Sequence, residues 1–279
     1  MKRSLRLLTL AVVVLAACTG YAFWEAHSMP RVRQLELHVF RGKPLAQPIR
    51  IAFLSDTHLA GPSDSPARLR RVVAQVNAAK PDLILLGGDY MGAPKGSDPG
   101  YTIEQAVRPF GGFKARLGVF AVLGNHDHWS GAQRTRRALE KVGVGVLANQ
   151  AVVRGPLVIG GIDDDFTRHA DVPATVRAVK AAGGIPIFFT HSPDLFAGLP
   201  SGNLLLAGHT HCGQIVLPLI GSPWTPSQFG NAYRCGKHRN ESRMVIVTAG
   251  IGTTALPFRF AAPPDWWLIT VTGGGVTRP

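Results

Sequence analysis

Cysteine is scarce: three in 279 residues, at positions 18, 212 and 235. Three cysteines build no disulfide framework. Cys212 and Cys235 are expected to remain unpaired, Cys212 as a small apolar residue; pairing stays open in an oxidising compartment. Acidic residues are few as well, 17 against 30 Lys and Arg, for a formal net charge of +13. Such a surplus favours anionic partners: phosphorylated substrates, acidic lipid headgroups or nucleic acid. An RNP-like motif, zinc-finger spacing and a basic-region heptad are all missing, so nucleic acid is the least expected of the three. The chain has no His-Glu-x-x-His, which excludes a zincin-type protease, and no internal repeat or low-complexity tract. Hydrophobic residues, by contrast, make up 46%. That is enough for the core of one large α/β domain or two small ones.

The first 27 residues read as an address. Lys2, Arg3 and Arg6 precede an uncharged run from Leu7 to Trp24, near the lower length limit for a membrane-spanning helix. Tyr21 and Trp24 suit the far interface. The leading charges favour a cytoplasmic N-terminus and a domain on the periplasmic or extracellular side of a bacterial cell membrane; Arg31, Arg33, Arg41 and Lys43 pull the other way. Two alternatives stand beside the uncleaved anchor. "LAAC" at 15–18 is similar to a lipoprotein box that would lipidate Cys18, and a cleaved signal would release a secreted protein. The expected division is an anchor or signal segment at 1–27, a connector with an edge strand at 28–48, and one catalytic domain at 49–279.

Within that domain short apolar runs alternate with amphipathic stretches. Strands are expected at "IRIAFLSD", "PDLILLGGD", "GVFAVLGNHD", "IPIFFTH" and "NLLLAGHTH". Helices are expected at "PARLRRVVAQVNAAK", "TIEQAVRPFGGFKAR", "AQRTRRALEKVG" and "PATVRAVKAA". Alternation of this kind implies stacked sheets with helices outside. The five strands share one feature: each ends in Asp, Asn or His. They deliver Asp56 and His58, Asp89, Asn125 and His126, His191, then His209 and His211. In α/β folds sites form beyond the carboxyl ends of strands, so five such ends build one site. His209 and His211, two apart on an extended segment, would share a face.

The series "SDTH", "GGD", "GNHD", "TH" and "GHTH" resembles the calcineurin-like metallophosphoesterases, over roughly residues 49 to 275. The tail "AGIGTTALPFRFAAPPDWWLITV" is similar to that of the family's membrane-anchored or exported bacterial branch. The resemblance implies a four-layer α/β/β/α sandwich of two mixed sheets flanked by helices. It also implies two divalent metal ions per chain, Mn, Fe or Zn. Asp56, His58, Asp89 and His211 would hold one; Asp89, Asn125, His191 and His209 would hold the other, with Asp89 bridging. Mixed oxygen and nitrogen donors suit those ions. A hydroxide shared by the metals would attack phosphorus. His126 would serve the leaving group as general acid or charge stabiliser, and Asp127 would orient it. His128 and Arg259 are candidates for substrate contact. The arginines of "RLRR" and "RTRR" could bind substrate phosphates but fit solvated helix faces at least as well; His27, His38, His169, His238 and the turn Asp163–Asp165 read as solvated surface.

The function implied is a binuclear phosphoesterase, most simply a phosphodiesterase, acting on a phosphate ester, with lipid-linked substrates among the candidates. One alternative is a UDP-2,3-diacylglucosamine pyrophosphatase of lipid A synthesis, which needs the cytoplasmic leaflet and so conflicts with the expected topology. The other is a non-catalytic metal-binding module of the same fold, which would be expected to lack ligands that this chain retains.

Overall fold

Alternation along β2 (Ile49–Leu54) sorts its side chains onto two faces. Ile51 and Phe53 enter one core, and Ala52 and Leu54 enter another. The same division holds for β3 (Leu83–Leu86), where Leu83 and Leu85 oppose Ile84 and Leu86. It recurs in β8 (Ile185–Phe189) and β9 (Leu204–Ala207), where Ile187 and Leu206 face the shared core and Phe188 and Leu205 face a third. A strand buried on both faces must be covered twice. This computed structural model, which describes residues 2–39, 45–59, 64–92, 100–240 and 243–273, therefore has two sheets packed face to face with helices outside. Phe40, Arg41 and Lys43 lie outside the described residues.

The first sheet runs β1 (Arg31–Val39), β12 (Asp265–Gly273), β2, β3, β4 (Val119–Ala121), β5 (Gly145–Val146). The second runs β10 (Gly236–Asn240), β11 (Arg243–Val247), β9, β8, β7 (Leu157–Gly161), β6 (Gln150–Arg154). Both are mixed: β12 is antiparallel to β2, and β6 and β10 are antiparallel to their neighbours, among otherwise parallel strands. The four-layer sandwich expected from the family resemblance is the fold. β1 pairs along its whole length with β12, Leu35 opposite Ile269.

Helix α2 (Pro66–Ala78) starts where Ser65 accepts a hydrogen bond from the Arg68 amide at 3.2 Å and proline occupies the first turn. It buries Leu69, Val72, Val73 and Val76 on the first sheet. Two helices differ from expectation. α3 spans only Ile103–Val107, and a 3-10 turn follows through Gly112. Pro109 has no amide to donate there. α4 (Asn125–Lys141) is kinked at Gly131 (φ 112°, ψ 87°): the expected helix follows from Ala132, and an additional helical stretch precedes it, directly after Gly124. "GNHD" is therefore a strand-to-helix turn. On the second sheet α5 (Val172–Ala182) is capped by Asp171, which accepts from the Ala174 amide at 2.8 Å.

Helix α1 (Lys2–His27) stands mostly clear of the sandwich and is long and apolar enough to cross a membrane. Only its last turns dock, burying Ala22, Glu25 and Ala26. The Arg259 amide donates to the Ala22 carbonyl at 2.9 Å, and Tyr21 meets Phe260 edge to face.

Candidate metal centre

The strand ends β2, β3, β4, β8 and β9 open onto one edge of the sandwich, and each delivers its polar residues there. Asp56, His58 and His211 form one donor group, and Asp89, His191 and His209 a second, each with its ligand-type atoms within 4.8 Å of one another. All six side chains are buried. In the first group His58 Nε2 lies 3.0 Å from His211 Nε2 and 3.6 Å from Asp56 Oδ1. In the second His191 Nε2 lies 3.2 Å from Asp89 Oδ2, 3.2 Å from Asn125 Oδ1 and 3.0 Å from His209 Nδ1. Asp89 Oδ2 also stands 3.5 Å from His58 Nε2, so one carboxylate faces both groups.

These spacings are a test of fit. Donors about 2.0–2.2 Å from a cation are roughly 3.0–3.5 Å apart along the edges of an octahedron or tetrahedron. Donor pairs in the centre fall in or next to that range. Moreover Asp56 Oδ1 is buried without a hydrogen-bond partner. Orphaned polar atoms of this kind are costly unless something charged satisfies them. The donors fit divalent metal ions.

Protonation follows the same logic. Burial raises a carboxyl, but His211, His58 and His191 hold Asp56 well below the usual range, and His191 leads the same effect on Asp89. Burial drops His209 to about 3, aided by His191, and burial also brings His211 well down. Burial pulls His58 and His191 down too, yet Asp56 and Asp89 outweigh it and raise both. Ionised Asp and neutral His are the ligating forms, so a bound cation would favour loss of any proton on His58 or His191.

The backbone is bent to make this possible. Asp56 (φ 54°), His58 (39°), Asp89 (57°), His209 (69°) and His211 (50°) all lie in the left-handed region. Non-glycine residues there cost on the order of 1–3 kcal/mol each and cluster at functional sites. His209 and His211 thus do not share a face of an extended segment. The chain turns sharply after β9, and each ring serves a different donor group. Close approach explains two glycines: a Cβ on Gly124 would lie 2.3 Å from Asp89 Oδ1, and one on Gly208 would lie 2.3 Å from Asp56 Oδ2.

His126 projects from the first turn of α4, half-buried, its amide donating to Asp89 Oδ1 at 2.9 Å. Its ring is 4.8 Å from the His58 ring and 5.0 Å from Trp129. Asp127 does not orient it as expected. The Asp127 carboxylate accepts from the amides of Asp89 (2.8 Å), Tyr90 (3.0 Å) and Gly124 (2.9 Å). It ties the β3 loop to the start of α4. Burial and the Asp89 charge push it up to about 7.

Other expectations change. Arg259 is fully buried, and its guanidinium donates to the carbonyls of Ala249, Gly252, Ala262 and His211. The terminal nitrogens are committed to loops behind His211, and the remaining donor, Nε, is buried. Arg68 is likewise buried, bridging Asp64 to the carbonyls of Ile251 and Ser28. His128 is half-buried and bound to Asp163 at 2.9 Å, with His169 stacked on it at 4.1 Å. Asp163 and Asp164 are buried, so that turn is not solvated. Cys212 and Cys235 form a disulfide, since the turn after His211 brings their Cα atoms to 4.6 Å. Two aromatics escaped the sequence reading: exposed Phe166 lies 5.3 Å from the His209 ring and 6.0 Å from exposed Trp129. Trp129 adjoins "GNHD" in sequence, but no local signal marks Phe166.

Residues 49–213 match the family model of the calcineurin-like phosphoesterases. A metallophosphoesterase of Bacillus subtilis is 30% identical over 278 residues, covering 94% of this chain and 93% of its own length. A transmembrane protein with metallophosphoesterase domain from Danio rerio is 30% identical, covering 93% of this chain, which spans only 61% of that protein. Among solved structures, the NAD nucleotidase of Haemophilus influenzae aligns with TM-score 0.47 at 15% identity, over 74% of this chain and 46% of its own.

Proposed function

The chain belongs to the calcineurin-like phosphoesterase family, and from that premise we propose that it is a binuclear metal-dependent phosphoesterase acting on phosphodiesters. The carrying observation is that one carboxylate, Asp89, faces both donor groups at 3.2 and 3.5 Å. Asp56, His58 and His211 would hold one ion, Asn125, His191 and His209 the other, and Asp89 both. When bound, the pair supplies an activated water at neutral pH and offsets the charge on the phosphate oxygens.

The chain's own groups do the rest. His126 is half-buried where the ligands are sealed, so it reaches the side from which an ester arrives and can give its proton to the leaving oxygen. Asp127 holds its backbone in place by clamping Gly124 and Asp89. Trp129 and Phe166 wall the same side with exposed apolar surface. The proposed setting is the outer face of a membrane, with α1 as anchor. Lys2, Arg3 and Arg6 in the first turns of α1 support it, as does the Cys212–Cys235 disulfide, which suits an oxidising compartment.

The test is metal content and hydrolysis of bis(p-nitrophenyl) phosphate by the chelator-stripped chain refilled with Mn, Zn or Fe, against Asp89→Ala. Two equivalents and activity in the parent, with loss of both in the variant, are expected. An Asp89→Ala protein retaining two metals would remove Asp89 from the bridging position.

A further inference from the structure

The loop that leaves the metal centre carries apolar side chains into open solvent. After His211 the chain passes Cys212 and forms a small hairpin, in which Leu217 and Gly221 exchange two hydrogen bonds of 2.9 Å. The tip holds Leu219, fully exposed, and Ile220, 71% exposed. Trp224 and Leu256 beside it are 65% and 58% exposed. Leu219 has φ 66°. A bulky residue in the left-handed region is an outlier, and a turn in water favours glycine or asparagine there. Leucine at this position is disfavoured twice in water, by its backbone and by its exposed surface.

The base of the hairpin is tied, through residues 256–260, to the end of α1. Ile215 pairs with Phe260, and Val216 donates to the Phe260 carbonyl at 2.8 Å. Gln214 Nε2 donates to the Leu256 carbonyl at 3.0 Å. Phe260 packs edge to face on Tyr21, Phe258 lies 6.2 Å from Phe23, and the Arg259 amide holds Ala22. Those α1 residues lie at the end of the apolar run, where it meets the interface. The disulfide pins both ends of the loop 213–234 beside His211.

We propose that Leu219, Ile220, Trp224 and Leu256 form a second membrane contact, seated in the interface of the leaflet from which the end of α1 emerges, and that the metal centre therefore opens at lipid-headgroup level. The occupant is the bilayer, because the patch is continuous with a helix long and apolar enough to span one, and exposed aliphatic and Trp side chains beside such a helix suit the interface. The chain's excess of 13 positive charges adds attraction to anionic lipids. The consequence for substrate class, a phosphate ester borne on a lipid, rests on the phosphodiesterase reading; the contact itself does not.

The experiment uses the full chain with Cys18→Ala, reconstituted in phosphatidylethanolamine/phosphatidylglycerol vesicles. Single cysteines replacing Leu219, or Lys180 on α5, carry a polarity-sensitive fluorophore. A blue-shifted label at 219 that is quenched by lipids brominated near the headgroup, with a water-like, unquenched label at 180, is the expected result. A water-like, unquenched label at 219 overturns the proposal, whatever the enzyme hydrolyses. In the same vesicles, Leu219→Glu with Ile220→Glu should lower hydrolysis of an embedded phosphodiester by about tenfold or more, the scale of losing one buried aliphatic side chain. Soluble bis(p-nitrophenyl) phosphate should be turned over as before. Equal rates on the embedded ester in both proteins would refute the substrate consequence, while failure of both proteins on either ester would count against the phosphodiesterase reading alone.

Discussion

His126 stands 4.8 Å from the His58 ring, close enough to be counted with His58 and Asp89 as a donor group. Two roles are thus open to it by distance, and geometry separates them. Asn125 and His126 are successive residues in the first helical turn of α4, about 100° apart around its axis. With Asn125 Oδ1 3.2 Å from His191 Nε2, the neighbouring ring diverges towards solvent. His126→Ala is expected to keep both metals and lose roughly 10²- to 10⁴-fold in turnover, the range of a positioned proton donor. The loss should be smaller for a p-nitrophenyl ester, whose leaving group needs no proton, than for an alkyl ester. Equal losses would leave His126 only phosphate binding or charge stabilisation, and lost metal would make it a ligand.

At the scale of elements, two connections are exposed to test. Arg134 on α4 grips Glu104 on α3 with two hydrogen bonds, of 3.0 and 2.9 Å. That pair brings Glu104 down to about 2. Its contribution to stability is therefore complete above about pH 4.5 and is lost as pH falls through about 2. Because the pair is exposed, the effect should be small and weakened by salt. Urea midpoints at acid and neutral pH should show a slightly flatter acid limb for Glu104→Gln, and an unchanged limb would mean that the pair adds nothing. The second connection is the disulfide. Closing a loop of this length, with a separation of 23 residues, restricts the unfolded chain by about 3 kcal/mol. Cys235→Ser should lower stability on that scale. It should also loosen metal retention in a chelator titration, since Cys212 adjoins His211. Retention equal to the parent's would separate the loop from the centre.

For the whole molecule, orientation is the open variable. Lys2, Arg3 and Arg6 lie in the first turns of α1, ahead of its apolar run, and the positive-inside bias predicts that everything after α1 lies outside the cytoplasm. Alkaline phosphatase fused after Pro279 should be active, and a cytoplasm-dependent reporter at the same place silent. The reverse pattern would turn the domain inward and revive the lipid A alternative. The sandwich, the docked end of α1 and the hairpin 217–221 would then face the inner leaflet together, because they are joined through Phe258–Phe260.

Sequence alone determined the features that depend on short-range pattern. Short, nearly continuous apolar runs in "IRIAFL" and "LILL" marked strands, and the polar residues that end those strands marked the edge where Asp56, Asp89 and His191 meet. Tertiary structure decided what depends on where distant segments cross. Arg259 looks like a phosphate ligand in "LPFRF", but four carbonyls, of His211, Ala249, Gly252 and Ala262, claim it. Asp127 looks like a partner of its neighbour His126, yet besides the Gly124 amide its carboxylate accepts from the Asp89 and Tyr90 amides of the β3 loop, 38 and 37 residues away. Cys212 and Cys235 carry no spacing signal and pair because left-handed turns at His211 and Cys212 fold the loop back. A pattern along the chain reports which face a residue occupies; which group it meets there is set by packing between elements, and no local periodicity encodes it.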